Sequence, residues 1–212
     1  MSGDWSRRSV YRARSRRPRQ WLALPLAALA LAAVWVAVAR GEGGDRVVYD
    51  RAAATAYADR WALTVNPHYW SSRDHDCANF VSQCVAAGGL RPVDVAGGWH
   101  DNGRAYPSLA WVNCEAQRRA WSGGGADSSP YIVASSSRLP GDWAAGDVVY
   151  LGNVTNGRPE WQHVIICVGK KRGHWLYDSH TVAYRRQPLS VWYPAHFSLI
   201  RFYHLADEVA YR

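Results

Sequence analysis

The hydrophobic pattern of this 212-residue chain changes period once, near Gly141. Between residues 47 and 63 the apolar residues Tyr49, Ala53, Ala56, Tyr57 and Trp61 recur at helical spacing, and Asn66-Pro67 stops the run. A second helix is predicted to begin at Asp76 or Cys77 and to stop at Gly88-Gly89. Its buried stripe is Cys77, Phe80, Val81, Cys84, Val85 and Gly88. A third is predicted over 107–121, followed by a Gly/Ser-rich loop over 122–130. Beyond Gly141 the pattern shortens into β-branched and aromatic runs at 147–151, 163–168, 175–179 and 197–203, bounded by turn residues. Helices first and strands later predict an α+β fold, with N-terminal helices packed on a C-terminal antiparallel sheet.

A separate segment precedes this domain. Residues 21–39 form an uncharged apolar run of 19 residues, and seven Arg stand before it. As a helix it rises about 28 Å, close to the roughly 30 Å of bilayer hydrocarbon. The arginines predict a cytoplasmic N-terminus and an exported remainder. The run reads either as an uncleaved signal anchor or as a signal peptide cut after Ala39. The expected organisation is a basic cytoplasmic leader at 1–20, the hydrophobic segment at 21–39, a linker at 40–46 and one domain at 47–212. Charge supports that division. Of the net +8, residues 1–40 carry +7, so the remainder is nearly neutral and nucleic acid is not an expected partner.

Two segments point to chemistry. In Asp74-His75-Asp76-Cys77-Ala78-Asn79-Phe80-Val81-Ser82-Gln83-Cys84, Asp76 is a good N-cap. That puts Cys77 at the first helical position, where the helix dipole and free N–H groups favour the thiolate. In Trp161-Gln162-His163-Val164-Ile165-Ile166-Cys167, His163 opens a strand at its rim, a suitable place for a general base. A hairpin loop centred on Lys171-Arg172 would set His163 opposite His180 and diagonal to Asp178. These two are the candidates for a third polar residue that fixes the imidazole. If helix and strand lie side by side with Cys77 meeting His163, Cys84 and Cys167 meet too, as buried thiols or as a disulfide, with thiols favoured; Cys114 has no predicted place. No zinc-ligand spacing joins Asp74, His75, Asp76, Cys77 and His163, and no cofactor is predicted. Trp61, Trp111 and Trp175 read as core, whereas Trp70, Trp99 and Trp143 are candidates for a substrate groove.

The segments Tyr49-Asp50-Arg51-Ala52-Ala53-Ala54, Ala58-Asp59-Arg60-Trp61-Ala62-Leu63, Asn66-Pro67-His68-Tyr69 and Asp76-Cys77-Ala78-Asn79-Phe80-Val81-Ser82-Gln83-Cys84 resemble the bacterial amidase-domain family. Ala110-Trp111-Val112-Asn113, Gly146-Asp147-Val148-Val149, Gln162-His163-Val164 and Asp178-Ser179-His180-Thr181 are similar to further motifs of that family. The family belongs to the papain-like (NlpC-like, CHAP-like) group of cysteine amidases and peptidases, and more often carries Thr where Ala78 stands. The resemblance implies a papain-like fold, Cys77 as nucleophile and His163 as base. It also implies an oxyanion site made by the nucleophile's own N–H and a side-chain donor, for which Tyr69 is the candidate.

The expected activity is amide cleavage through an acyl-enzyme, by an exported or membrane-anchored cysteine amidase or peptidase. Its expected partners are a peptide or amide substrate, such as peptidoglycan, and the membrane if 21–39 stays uncleaved. Two other readings stand beside it: an acyl-transferase with the same Cys–His pair, and a non-catalytic wall-binding module of the same fold.

Overall fold

The structure is a computed structural model that describes residues 45–211 except 73, 93–97 and 123–130. The leader, the apolar run 21–39 and nearly all of the 122–130 loop lie outside the described residues. Among the described residues no helix is long and apolar enough to cross a membrane.

The chain enters through a short strand, β1 (Arg46–Val48), and then forms α1 (Arg51–Trp61). The predicted helix therefore starts later than its apolar pattern does. Asp50 is the reason: its Oδ1 accepts the Ala53 N–H at 2.9 Å, capping the helix after Val47 and Val48 have paired with the last strand. Next come α2 (Cys77–Ala87), α3 (Leu109–Val112) and α4 (Cys114–Trp121). The helix predicted over 107–121 is thus two. Asn113 holds extended backbone (φ −119°, ψ 127°), and its side chain accepts the Ala116 N–H, so α4 restarts with its own cap. Cys114 becomes a helix-initial residue by this break.

The remaining strands are β2 (Ile132–Ser136), β3 (Val148–Thr155), β4 (Arg158–Lys171), β5 (His174–Ser179), β6 (Tyr184–Pro188), β7 (Leu199–Leu205) and β8 (Glu208–Ala210). Six form one antiparallel sheet in the order β2-β7-β3-β4-β5-β6, and β1 pairs with β8 in a separate two-stranded ribbon. The molecule is a mixed α+β fold with helices on an antiparallel sheet. The strands missing from the sequence pattern are β1 and β8 of the ribbon and β2 and β6, the two edges of the large sheet; β6 reads Tyr-Arg-Arg-Gln-Pro and has no apolar alternation.

Alternation along the central strands divides the core. Val148, Tyr150, Val164, Ile166 and Tyr203 pack with Phe80, Val81, Cys84 and Val85 of α2. Val149, Leu151, Ile165, Cys167, Tyr177 and Phe202 form a second cluster closed by Trp143 and Trp192. Cys84 and Cys167 therefore lie in different clusters and do not meet; all four cysteines are free thiols. Trp99 and Trp143 belong to these cores, which removes them as groove residues.

The register of the β4–β5 hairpin also differs from the expected one. Its turn is Arg172-Gly173, both with positive φ (50° and 85°), the geometry of a two-residue hairpin loop. Lys171 then faces His174, a bulge between Cys167 and Gly169 shifts the ladder, and Ile166 faces Asp178. His163 and His180 are not paired across the sheet. His180 lies beyond the end of β5 and turns to α2 instead.

Candidate active site

The nucleophile candidate is set on the most buried helix of the molecule. The predicted stripe is too narrow a description: every residue from Cys77 to Val85 is buried, because α2 is enclosed on all sides. Its polar residues survive burial by being bonded. Asn79 donates to the Trp70 carbonyl and Asp76, and accepts from the Trp111 indole at 2.9 Å. Ser82 donates to the Trp111 carbonyl and accepts from Trp99 Nε1 and Gln117 Nε2 at 2.7 and 2.6 Å. Gln83 accepts from the Tyr57 hydroxyl at 2.7 Å. The Cys-Ala-Asn-Phe-Val-Ser-Gln segment is therefore a wired helix whose first residue carries the thiol.

Asp76 occupies the N-cap position without a side-chain cap bond. Its carboxylate is used elsewhere: Oδ1 accepts from the Ser72 N–H and Asn79, and Oδ2 faces His180 Nδ1 at 2.7 Å. The other His180 nitrogen, Nε2, donates to the Trp61 carbonyl at 2.8 Å, and the ring stacks on Phe80 at 4.1 Å. Thr181 supplies what the cap does not. Its Oγ1 accepts from the backbone N–H groups of Asp76 and Cys77 at 3.0 and 3.2 Å. The Asp178-Ser179-His180-Thr181 motif thus docks onto the start of α2 and fastens it to the end of β5. The backbone N–H of Cys77, expected in an oxyanion site, is engaged by Thr181 here.

His163 and Cys77 come together. The His163 ring and the Val164 backbone lie close enough to lower the pKa of the Cys77 thiol. A third group was missing from the sequence reading: Cys114 Sγ lies 3.5 Å from Cys77 Sγ. The Cys77 thiol is held well below its ordinary pKa, first by the hydrogen bond from Cys114, then by His163 and the Val164 N–H, with burial opposing them. The same hydrogen bond and burial push the Cys114 thiol well up. Cys77 is recessed, with 7% of its surface exposed, and His163 is similar at 6%.

Neither candidate for a third polar residue touches the His163 ring. Its Nε2 is buried with no hydrogen-bond partner among the described residues. Asp178 sits opposite Ile166 and accepts the Arg186 N–H at 2.5 Å, while His180 binds Asp76 and Trp61. The ring is stacked in parallel on Phe197 at 5.7 Å, the first residue of the strand predicted over 197–203. Tyr69 stacks on Trp111 at 6.2 Å, and burial raises its pKa. An open cavity of about 690 Å³ borders α1 beside Tyr57, Trp61, Asn66 and His68, and its lining includes neither Cys77 nor His163.

Comparison with known proteins bears on this arrangement. The family described as "Putative amidase domain" matches residues 48–202, which hold Cys77, Cys114, His163 and His180. A Bacillus subtilis (strain 168) protein described as "Uncharacterized protein YhbB" is 28% identical over 177 residues, covering 78% of this chain and 53% of its own length. The chain thus spans about half of that relative. No solved structure matches the chain.

Proposed function

The chain belongs to the family described as "Putative amidase domain", and on that premise we propose that it is a cysteine-class amide hydrolase with a papain-like arrangement of groups. The family supports hydrolysis of amides; the contact of Cys77 with His163 and Cys114 is the observation that carries the cysteine mechanism. A thiolate is the nucleophilic form, and here the environment favours it at a sulfur that begins a helix.

In this reading the Cys77 thiolate attacks the amide carbonyl and forms a tetrahedral adduct. Protonated His163 delivers its proton to the departing amine, leaving a thioester. His163 then takes a proton from water, which attacks the thioester and frees the acid. The Cys77 N–H can serve the developing oxyanion only when the substrate oxygen shares or displaces the Thr181 hydroxyl. Export, through the arginine-flanked run 21–39, makes envelope amides such as peptidoglycan stem peptides the substrate class we favour, acted on outside the cytoplasmic membrane.

Mutation of the pair tests the proposal. Cys77→Ala and His163→Ala should each lower amide hydrolysis by about a thousandfold or more while circular dichroism stays unchanged. Iodoacetamide should label Cys77 of the native protein at pH values well below the usual thiol range, and His163→Ala should slow that labelling. Undiminished turnover in the Cys77→Ala protein would overturn the assignment.

A further inference from the structure

Two helices of this domain begin with cysteine, and their first residues meet. Cys77 opens α2 and Cys114 opens α4, with their sulfurs 3.5 Å apart and both thiols free. A disulfide needs about 2.05 Å, so closure requires a combined movement of about 1.5 Å, within reach of modest side-chain rotation. The other two thiols offer no such neighbour among the described residues: Cys84 is sealed in the first core cluster and Cys167 in the second. Cys77 and Cys114 each keep 7% of their surface exposed, whereas Cys84 and Cys167 keep none. This pair therefore lies nearer the surface than Cys84 and Cys167.

We propose that Cys77 and Cys114 form a thiol-oxidation site that takes hydrogen peroxide and closes to an intramolecular disulfide, with Cys114 as the resolving thiol. The Cys77 thiolate attacks one peroxide oxygen; an S–O bond forms, the O–O bond breaks, and the departing hydroxide takes a proton from His163 to leave as water. Cys77 is now a sulfenic acid. The Cys114 sulfur attacks the Cys77 sulfur, the S–S bond forms, the S–O bond breaks, and the hydroxyl leaves with the Cys114 proton as a second water. Two thiols lose two hydrogens, and one peroxide becomes two waters. The product has no free nucleophile, is restored by a dithiol reductant, and is spared irreversible oxidation to the sulfinic acid. The proposal rests on the 3.5 Å approach of the two sulfurs and on the reading of Cys77 as the nucleophile proposed above.

The test reads sulfur rather than hydrolysis. The reduced full chain is exposed to hydrogen peroxide, alkylated and digested, with fragmentation to separate Cys77 from Cys84. The expected product is a Cys77–Cys114 cross-link, lost on treatment with dithiothreitol, with Cys84 and Cys167 still thiols. In Cys114→Ser and Cys114→Ala proteins, the latter as a check on folding, the same treatment should carry Cys77 to sulfinic acid that dithiothreitol does not reverse. Sulfinic acid at Cys77 beside an intact Cys114 thiol in the unmodified protein would overturn the proposal, as would a Cys77 that peroxide leaves reduced. A cross-link in a protein without amidase activity would sink the hydrolase reading alone, and hydrolysis without a cross-link would sink this one alone.

Discussion

Asp178, a candidate for the third polar residue, matters to stability through its own burial. It is wholly buried, its Oδ1 accepts from the Arg186 N–H, and its Oδ2 has no partner among the described residues. Burial pushes its pKa up to about 6. Between the unfolded value of about 3.9 and about 6, the folded state holds a proton that the unfolded chain has released. Stability from this group is therefore greatest in acid and falls as pH rises through that window, by about 3 kcal/mol in all. Asp178→Asn should remove this slope: urea unfolding at about pH 5 and about pH 8 should differ less in the variant than in the parent protein. Cys77 and His163 stand out in the sequence because each opens a strong local pattern, a buried helical stripe and an apolar strand. Thr181 and Cys114 carry no such mark. Their roles arise where distant segments close on one another, Thr181 at a separation of 104 residues from Cys77.

At the scale of elements, the break between α3 and α4 makes Cys114 the first residue of a helix, where its sulfur meets that of Cys77. A continuous helix over 107–121 satisfies the apolar periodicity, and nothing in that periodicity reveals the interruption. Asn113 makes it, by leaving the helical region and capping the next turn through its own side chain. Asn113→Ala should cost about 1 kcal/mol of stability in urea unfolding. It should also slow native labelling of Cys77, since Cys114 would no longer be held at the sulfur it hydrogen-bonds. The hairpin register was misread for a similar reason. Period-two alternation does not report a bulge, and the one between Cys167 and Gly169 displaces every residue beyond it. His180 and Thr181 lie beyond the end of β5 and bond to the start of α2.

For the molecule as a whole, Arg51 is the principal tie between the helical half and the sheet. From α1 it donates to buried Asp147 at 2.7 Å, to the Ala145 and Leu205 carbonyls, and to Asp207 at 2.8 Å. His204 Nδ1 meets the other oxygen of Asp147 at 2.8 Å. These bonds explain the Gly-Asp pair before β3, which the sequence marked without a role. Arg51→Ala would leave the wholly buried Asp147 carboxylate short of its cation and should cost about 3 kcal/mol, read as a lower urea midpoint. The α+β order of the fold was readable from period alone, but this clamp was not, because it joins residues about ninety to one hundred and fifty positions apart. The pairing of β1 with β8 has a mechanical consequence. Arg46 faces Ala210, and the Tyr211 N–H reaches the Asp45 carbonyl at 2.9 Å, so the chain enters and leaves at one spot. Tension between those two ends would peel the ribbon apart one rung at a time, as a zipper opens, and the six-stranded sheet bearing His163 would stay out of the line of load.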